Sequence, residues 1–329
     1  MLVACAATEG FLAPASAMLH SLILAAGSET VEIVLLHDEP FTPEARGRVH
    51  ETVAAAGGTL RFVAVPGARL DEFPSGSFPR SIWSRVLLPE LLPEEERVLY
   101  LDADTIVLES LAPLWRTDLG DAYFAAVASP LHRWMSDWPR AVLGIDAPRR
   151  YINSGVLLMN LTLMRQEQCH RRLLDYARAH PDNIYPDQDA LSALFSERHL
   201  SLHPRWNAQI TLWDIPVDEL PFPSSEVYEA RARPAIVHFI GPFKPWHYLC
   251  THPYRDRYFE HLAATPWPAP QLEGRTMVNR VLRHLSPVWT NRWFRVRQAS
   301  VGSSLRRGVS ACGSYRARRL GARGSPGRP

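Results

Sequence analysis

Lysine is all but missing from this chain: Lys244 stands alone against 35 arginines. Arginine therefore serves wherever a cation merely has to be present, and the one ammonium calls for its own explanation. Cysteine is scarce too. Cys5, Cys169, Cys250 and Cys312 are scattered without Cys-x-x-Cys spacing, which argues against a disulfide framework or a zinc site and fits a reducing cytosol. No run of about 18 uninterrupted apolar residues occurs, so no transmembrane helix is expected. Leu2-Val3-Ala4-Cys5 has the form of a lipoprotein processing site, but no basic and apolar leader precedes it, and it reads as a first strand. Internal repeats are absent.

What is present is an ordinary globular composition, 46% hydrophobic and 21% charged over 329 residues, enough to bury a full core. The charge is divided unevenly. From Arg275 onward there are 13 arginines and no acidic residue, leaving residues 1–274 at −11 within a total of +2. A folded body over 1–265 and a basic, aromatic tail over 266–329 are expected.

Along the body, apolar runs and helical stretches alternate. Leu2 to Ala7 reads as a strand, and a helix carrying Met18, Leu19, Leu22 and Ile23 on one face ends at Gly27. Val31 to Leu36 is a second strand. Thr42-Pro43 opens a helix with a capping hydroxyl and a proline, Gly57-Gly58 closes it, and Leu60 to Val65 is a third strand. Further on, Ser81 to Leu92, Thr162 to His180 and Gln188 to Arg198 read as helices, and Ala122 to Ala128, Gly155 to Leu161 and Ala235 to Ile240 as strands. The alternation predicts an α/β fold with a mostly parallel central sheet. Ligands bind such sheets beyond the carboxyl ends of the strands, which groups Thr8-Glu9-Gly10, Asp102/Asp104 and His238 to Gly241 into one site.

The apolar run Val98-Leu99-Tyr100-Leu101 leads straight into Asp102-Ala103-Asp104-Thr105. In an extended segment the two carboxylates project to one side and offer hard oxygen ligands to magnesium or manganese. The plainer reading is a polar turn, with Asp104 capping a helix from Thr105 to Trp115. His238-Phe239-Ile240-Gly241 leads to Lys244, where glycine permits close backbone approach and an ammonium suits a phosphate. Asn153 and Gly155 lie at a strand mouth, Asp187-Gln188-Asp189 crowds a helix start with more acid than one cap requires, and Arg85 precedes the acidic strand.

In order, these stretches resemble glycosyltransferase family 8, especially its bacterial lipopolysaccharide galactosyl- and glucosyltransferases. The resemblance covers about residues 1–265 and rests on Asp102-Ala103-Asp104 with Leu111 to Trp115, Asn153 to Asn160, Asp187-Gln188-Asp189, and His238-x-x-Gly241-x-x-Lys244-Pro245-Trp246. It implies a GT-A fold, a UDP-sugar donor, manganese (or magnesium) as cofactor, and retention of anomeric configuration. It also implies Asp102, Asp104 and His238 as metal ligands, and Gly241 and Lys244 on the diphosphate. Arg85, Asn153, Asp187 and Gln188 would contact the donor sugar, with Gln188 nearest the anomeric carbon on the face away from UDP; Ala103, Thr8 and Phe11 would face the nucleotide. The chain departs from the family pattern twice, with Thr8-Glu9-Gly10-Phe11 in place of an Asp-x-Tyr turn and Pro130 in place of a sugar-binding aspartate.

The tail places Met277, Val278, Val281, Leu282 and Leu285 on one helical face against Arg280 and Arg283, followed by Trp289, Trp293 and Phe294 among further arginines. That mixture suits an anionic membrane surface better than nucleic acid, so a cytoplasmic protein docked on the inner face of the plasma membrane, acting on a saccharide or glycolipid acceptor, is expected. Two other readings compete. Leu101-Asp102-Ala103-Asp104-Thr105 resembles the nucleophile motif of haloacid-dehalogenase phosphatases, although only one aspartate, Asp256, follows the lysine. A non-catalytic sugar-nucleotide-binding scaffold would share the fold.

Overall fold

The computed structural model describes residues 1–76, 78–133 and 135–284. Residues 1–246 and 250–271 form one compact unit. Its seven-stranded sheet is built from β1 (Leu2–Ala6), β2 (Glu32–His37), β3 (Thr59–Ala64) and β4 (Arg97–Leu101), with β6 (Phe124–Ala128), β7 (Ile152–Asn160) and β8 (His199–Ser201), in the order β3-β2-β1-β4-β7-β6-β8. The first four are mutually parallel, whereas β7 runs antiparallel to both β4 and β6. Alternate residues feed opposite faces. Val3, Cys5, Leu99 and Leu101 pack into one core cluster and Leu2, Ala4, Val98 and Tyr100 into the other, so the sheet is buried on both sides and its central strands read as unbroken apolar runs. Each leucine so buried contributes roughly 2 kcal/mol relative to exposure.

The helix Leu12–Ala26 fills one face of this sheet. With the turn before it, this segment is long and apolar enough to cross a membrane, yet Leu12, Met18, Leu19 and Leu22 are fully buried within the fold. Thr42 caps the helix Pro43–Ala55 by accepting the Ala45 N–H. Cys5, Cys169 and Cys250 are buried.

Several expected elements differ. The stretch from Ser81 is a 3-10 helix over Arg80–Leu87, followed by only a short α-helix Leu88–Leu91; Pro89 has no N–H to donate to the Arg85 carbonyl, and the Leu88 N–H takes it instead. The long helix from Thr162 is two helices, Leu161–Gln166 and Cys169–Ala179, parted where Gln168 adopts φ +50°. No helix starts at Thr105. Residues Thr105–Val107 form a strand, β5, and the helix after it is confined to Ala112–Trp115. Finally, the last apolar strand is not part of the large sheet: β10 (Ile236–His238) lies between β5 and β9 (Ala208–Gln209) in a separate three-stranded sheet, antiparallel to β5.

In a second unit, comprising residues 247–249 and, among the described residues, 272–284, Tyr248 N–H donates to Glu273 O (2.9 Å). There the helix Met277–His284 leaves Met277, Val278 and Val281 exposed. Leu285, the three tail aromatics and the remaining arginines lie outside the described residues.

Candidate active site

The acidic pair sits at the junction of the two sheets. Asp102 N–H donates to Gly155 O on β7 (2.8 Å), while Asp104 O accepts the N–H of Phe239, just after β10 (3.0 Å). Residues 102–104 therefore form a turn, closed by Thr105, whose Oγ1 and N–H both donate to Asp102 O (2.8 and 3.2 Å). The carboxylates converge through this turn rather than through the pleat of one extended strand. His238 reaches them because the antiparallel register sets it opposite Thr105. Its Nε2 lies 3.3 Å from Asp104 Oδ1 and 3.8 Å from Asp102 Oδ2, and one donor atom from each of the three residues lies within 4.8 Å of the others.

Two carboxylate oxygens and an imidazole nitrogen are a suitable part of an octahedral set for manganese or magnesium. Gly155 completes the fit. A Cβ there would stand 2.2 Å from His238 Cε1 and 2.6 Å from Asp102 Oδ2, so only a residue without a side chain lets both ligands approach. Burial opposes the charge of Asp104, but Lys244 and His238 more than offset it and hold the carboxyl well below the usual range. Lys244 Nζ donates to Asp104 Oδ2 and to Phe239 O. Gly241, at φ +82°, turns the chain between histidine and lysine in a conformation that favours glycine.

Arg85 is buried on the other side of Asp102. It donates to Asp102 Oδ1 (2.9 Å), to Ser154 O (2.6 Å) and Ser154 Oγ (2.9 Å), approaches Asp187 Oδ2 (3.3 Å) and lies over the Tyr100 ring at 4.6 Å. Burial works against its charge, yet Asp102, Tyr100 and Asp187 leave it more firmly protonated than usual. Burial raises the Asp187 carboxyl, against the pull of Arg85.

The expected cap role of Asp187 is not realised. The helix starts at Pro186, two residues before the expected Gln188, with Tyr185 in the cap position, and Asp187 turns to Arg85 and Ser154 Oγ (2.9 Å). Asp189 instead accepts the N–H groups of Ile184 and Tyr185 (3.0 and 3.1 Å), and burial raises its carboxyl to about 6. Asn153 Nδ2 donates to Gln188 Oε1 (3.2 Å), and Gln188 Nε2 to Tyr151 Oη (2.8 Å).

The structure thus brings together Asp102, Asp104, His238 and Lys244, with Arg85, Asn153, Asp187 and Gln188 adjoining. Ala103 is buried in the turn. Thr8 and Phe11 lie beyond the end of β1: Phe11 is exposed, with its ring edge-on to Trp246 at 5.9 Å. The Thr8 side chain makes no capping bond, and Glu9 is drawn away to Thr42, accepting from its N–H and Oγ1 (2.8 and 2.9 Å). Sequence reasoning missed Tyr100, Tyr151 and, most of all, Asn207, which is fully buried and touches both Asn153 and His238.

A mostly parallel sheet whose central strand delivers two acids to a histidine of a second small sheet, and to a lysine in the segment after it, defines the GT-A class of glycosyltransferases. The glycosyl transferase family 8 model matches residues 2–250, and the chain belongs to that family. General stress protein A of Bacillus subtilis (strain 168) is 29% identical over 278 residues, 81% of this chain and 94% of the relative. The lipopolysaccharide glucosyltransferase WaaO of Escherichia coli (strain K12) is 28% identical, over 63% of this chain and 62% of its own. Among solved structures, the galactosyltransferase LgtC in complex with donor and acceptor sugar analogs matches with a TM-score of 0.72 at 25% identity, over 82% of this chain and 98% of that one. Family membership sets the phosphatase reading aside.

Proposed function

We propose that this protein is a retaining, metal-dependent hexosyltransferase that moves galactose or glucose from a UDP-sugar to a saccharide or glycolipid acceptor in lipopolysaccharide or another cell-surface glycan. The observation that carries the reading is the convergence of Asp102, Asp104 and His238 with the only lysine of the chain against Asp104. A divalent ion held by those three ligands would stabilise the negative charge of the departing diphosphate, and manganese suits a set containing imidazole better than magnesium. Lys244 and the backbone at Gly241 take the diphosphate oxygens, and Phe11 and Thr8 face the base. Arg85, Asn153, Asp187 and Gln188 line the sugar side.

Gln188 is a positioning group in this scheme. Its Oε1 already accepts from Asn153 Nδ2 and Ser154 N–H, and its Nε2 donates to Tyr151, so its amide, a poor nucleophile in any case, is engaged within the protein. The acceptor hydroxyl attacks the anomeric carbon on the face that the diphosphate leaves. The carbon–oxygen bond to phosphate breaks, and the hydroxyl proton passes to a donor phosphate oxygen. The relatives named for glucosyl and galactosyl transfer support the choice of sugars, and the basic tail supports docking on the cytoplasmic face of a membrane.

The test is UDP release from a panel of UDP-sugars with manganese, magnesium or EDTA. The expected result is release from UDP-galactose or UDP-glucose that needs metal and disappears in Asp104→Ala. Release unaffected by EDTA would contradict the proposal.

A further inference from the structure

We infer that Asn207, a residue with no assigned part in the site, is a positioning residue that fixes which ring nitrogen of His238 faces Asp102 and Asp104. The inference rests on the reading of Asp102, Asp104 and His238 as a metal centre. Two backbone groups of β7 have a polarity that is beyond choice. The N–H of Gly155 donates to Asn153 Oδ1 (3.1 Å), and the N–H of Ser154 donates to Gln188 Oε1 (3.4 Å). A backbone amide has no acceptor capacity at nitrogen, so each atom it meets must be the amide oxygen of the side chain.

Everything else follows from that start. Asn153 Oδ1 is an acceptor, so the Asn207 atom 2.8 Å from it is the donor Nδ2. The other Asn207 atom is then Oδ1, which lies 2.9 Å from His238 Nδ1. Nδ1 must carry a proton, so Nε2 is the nitrogen that faces the carboxylates 3.3 and 3.8 Å away and that offers its lone pair there once the ring is neutral. Toward the sugar side, Asn153 Nδ2 donates to Gln188 Oε1, Gln188 Nε2 to Tyr151 Oη, and Tyr151 Oη to Asp189 Oδ1 (2.7 Å). Two consecutive backbone amides of β7 thus set the direction of one buried hydrogen-bond chain, which donates stepwise from His238 to Asp189. Ring orientation and tautomer are what a ligating imidazole needs its other nitrogen's partner to supply, and loss of such a partner lowers metal affinity about 10- to 100-fold.

Asn207 links two halves that different substitutions separate. Asn207→Asp keeps an acceptor for His238 Nδ1 but places an oxygen against Asn153 Oδ1. Asn207→Leu removes both contacts at similar volume. The direct test is 15N NMR of the metal-free full chain, with the His238 signals identified by their loss in His238→Gln. With the ring neutral, wild type and Asn207→Asp are expected to show protonated Nδ1 and bare Nε2, and Asn207→Leu a mixture. Manganese titration followed by electron paramagnetic resonance is expected to give Asn207→Asp an affinity within about threefold of wild type and Asn207→Leu a loss of about 10- to 100-fold. A neutral wild-type His238 protonated at Nε2 would overturn the inference even if manganese binds. Equal manganese affinity in wild type and Asn207→Leu would overturn it as well. A wild type with the expected tautomer that binds no manganese would instead overturn the metal-centre reading and, with it, the role given to Asn207 there. The wild-type spectrum needs no variant to fold.

Discussion

At the scale of single residues, the site depends on an absence of bulk as much as on charge. Gly155→Ala would drive a methyl into His238 and Asp102, and manganese affinity is expected to fall at least about tenfold with the far-ultraviolet circular dichroism unchanged; wild-type affinity would contradict the geometry. Arg85 is the converse case. It is buried between two carboxylates, so Arg85→Met leaves both without their cation and is expected to cost about 3–5 kcal/mol in chemical denaturation. Asp102, Asp104, His238 and Lys244 were legible in the sequence because a charge ending an apolar run, or a lone lysine among arginines, stands out. Asn207 was not. An amide beside a tryptophan, at the end of the 3-10 helix Pro204–Asn207, carries no signal until the pairing of β9 with β10 sets it beside His238.

At the scale of elements, the sequence showed where segments run but not which sheet they join. The apolar run at β10 reads like any buried strand, and only its pairing with β5 places it in the smaller sheet. Similarly, helical periodicity continues through Gln168, so nothing in the pattern marks the break there. One contact between elements gives a pH dependence. His20, on the helix Leu12–Ala26, and His261, on the helix Arg255–Ala263, meet with Nδ1 atoms 3.1 Å apart, a contact that needs one ring to donate and the other to accept. Burial lowers both pKa values, and for His261 the proximity of His20 adds to it. Below the unfolded value of about 6.5 the unfolded chain takes protons that the folded chain refuses, so the stability present above that pH is lost as pH falls. His252, lowered to about 4 by burial, acts in the same sense. Asp189, raised to about 6, acts oppositely, its stabilising effect being full below about 4 and lost as pH rises through 6. The melting temperature is expected to drop between pH 7 and pH 5, and the drop to shrink in His20→Leu/His261→Leu. An identical slope in both proteins would exclude the pair as its source.

At the scale of the whole molecule, an acidic body precedes an arginine-rich end. If that end docks on anionic lipid, the full chain sediments with phosphatidylglycerol vesicles at low salt. Replacing Arg280, Arg283, Arg292 and Arg295 by serine is then expected to weaken partitioning about a thousandfold, at roughly 1 kcal/mol for each cation; unchanged sedimentation would remove the tail from the membrane proposal. The central claim is that three ligands and one lysine make a single centre for a metal and a diphosphate. Calorimetry of UDP binding tests it most directly, because neither sugar nor acceptor need be known. The expected result is UDP binding at least about tenfold tighter with manganese than with EDTA, an advantage lost in Asp104→Ala, with binding also weakened in Lys244→Gln. UDP affinity indifferent to manganese, or unchanged in both variants, would contradict it.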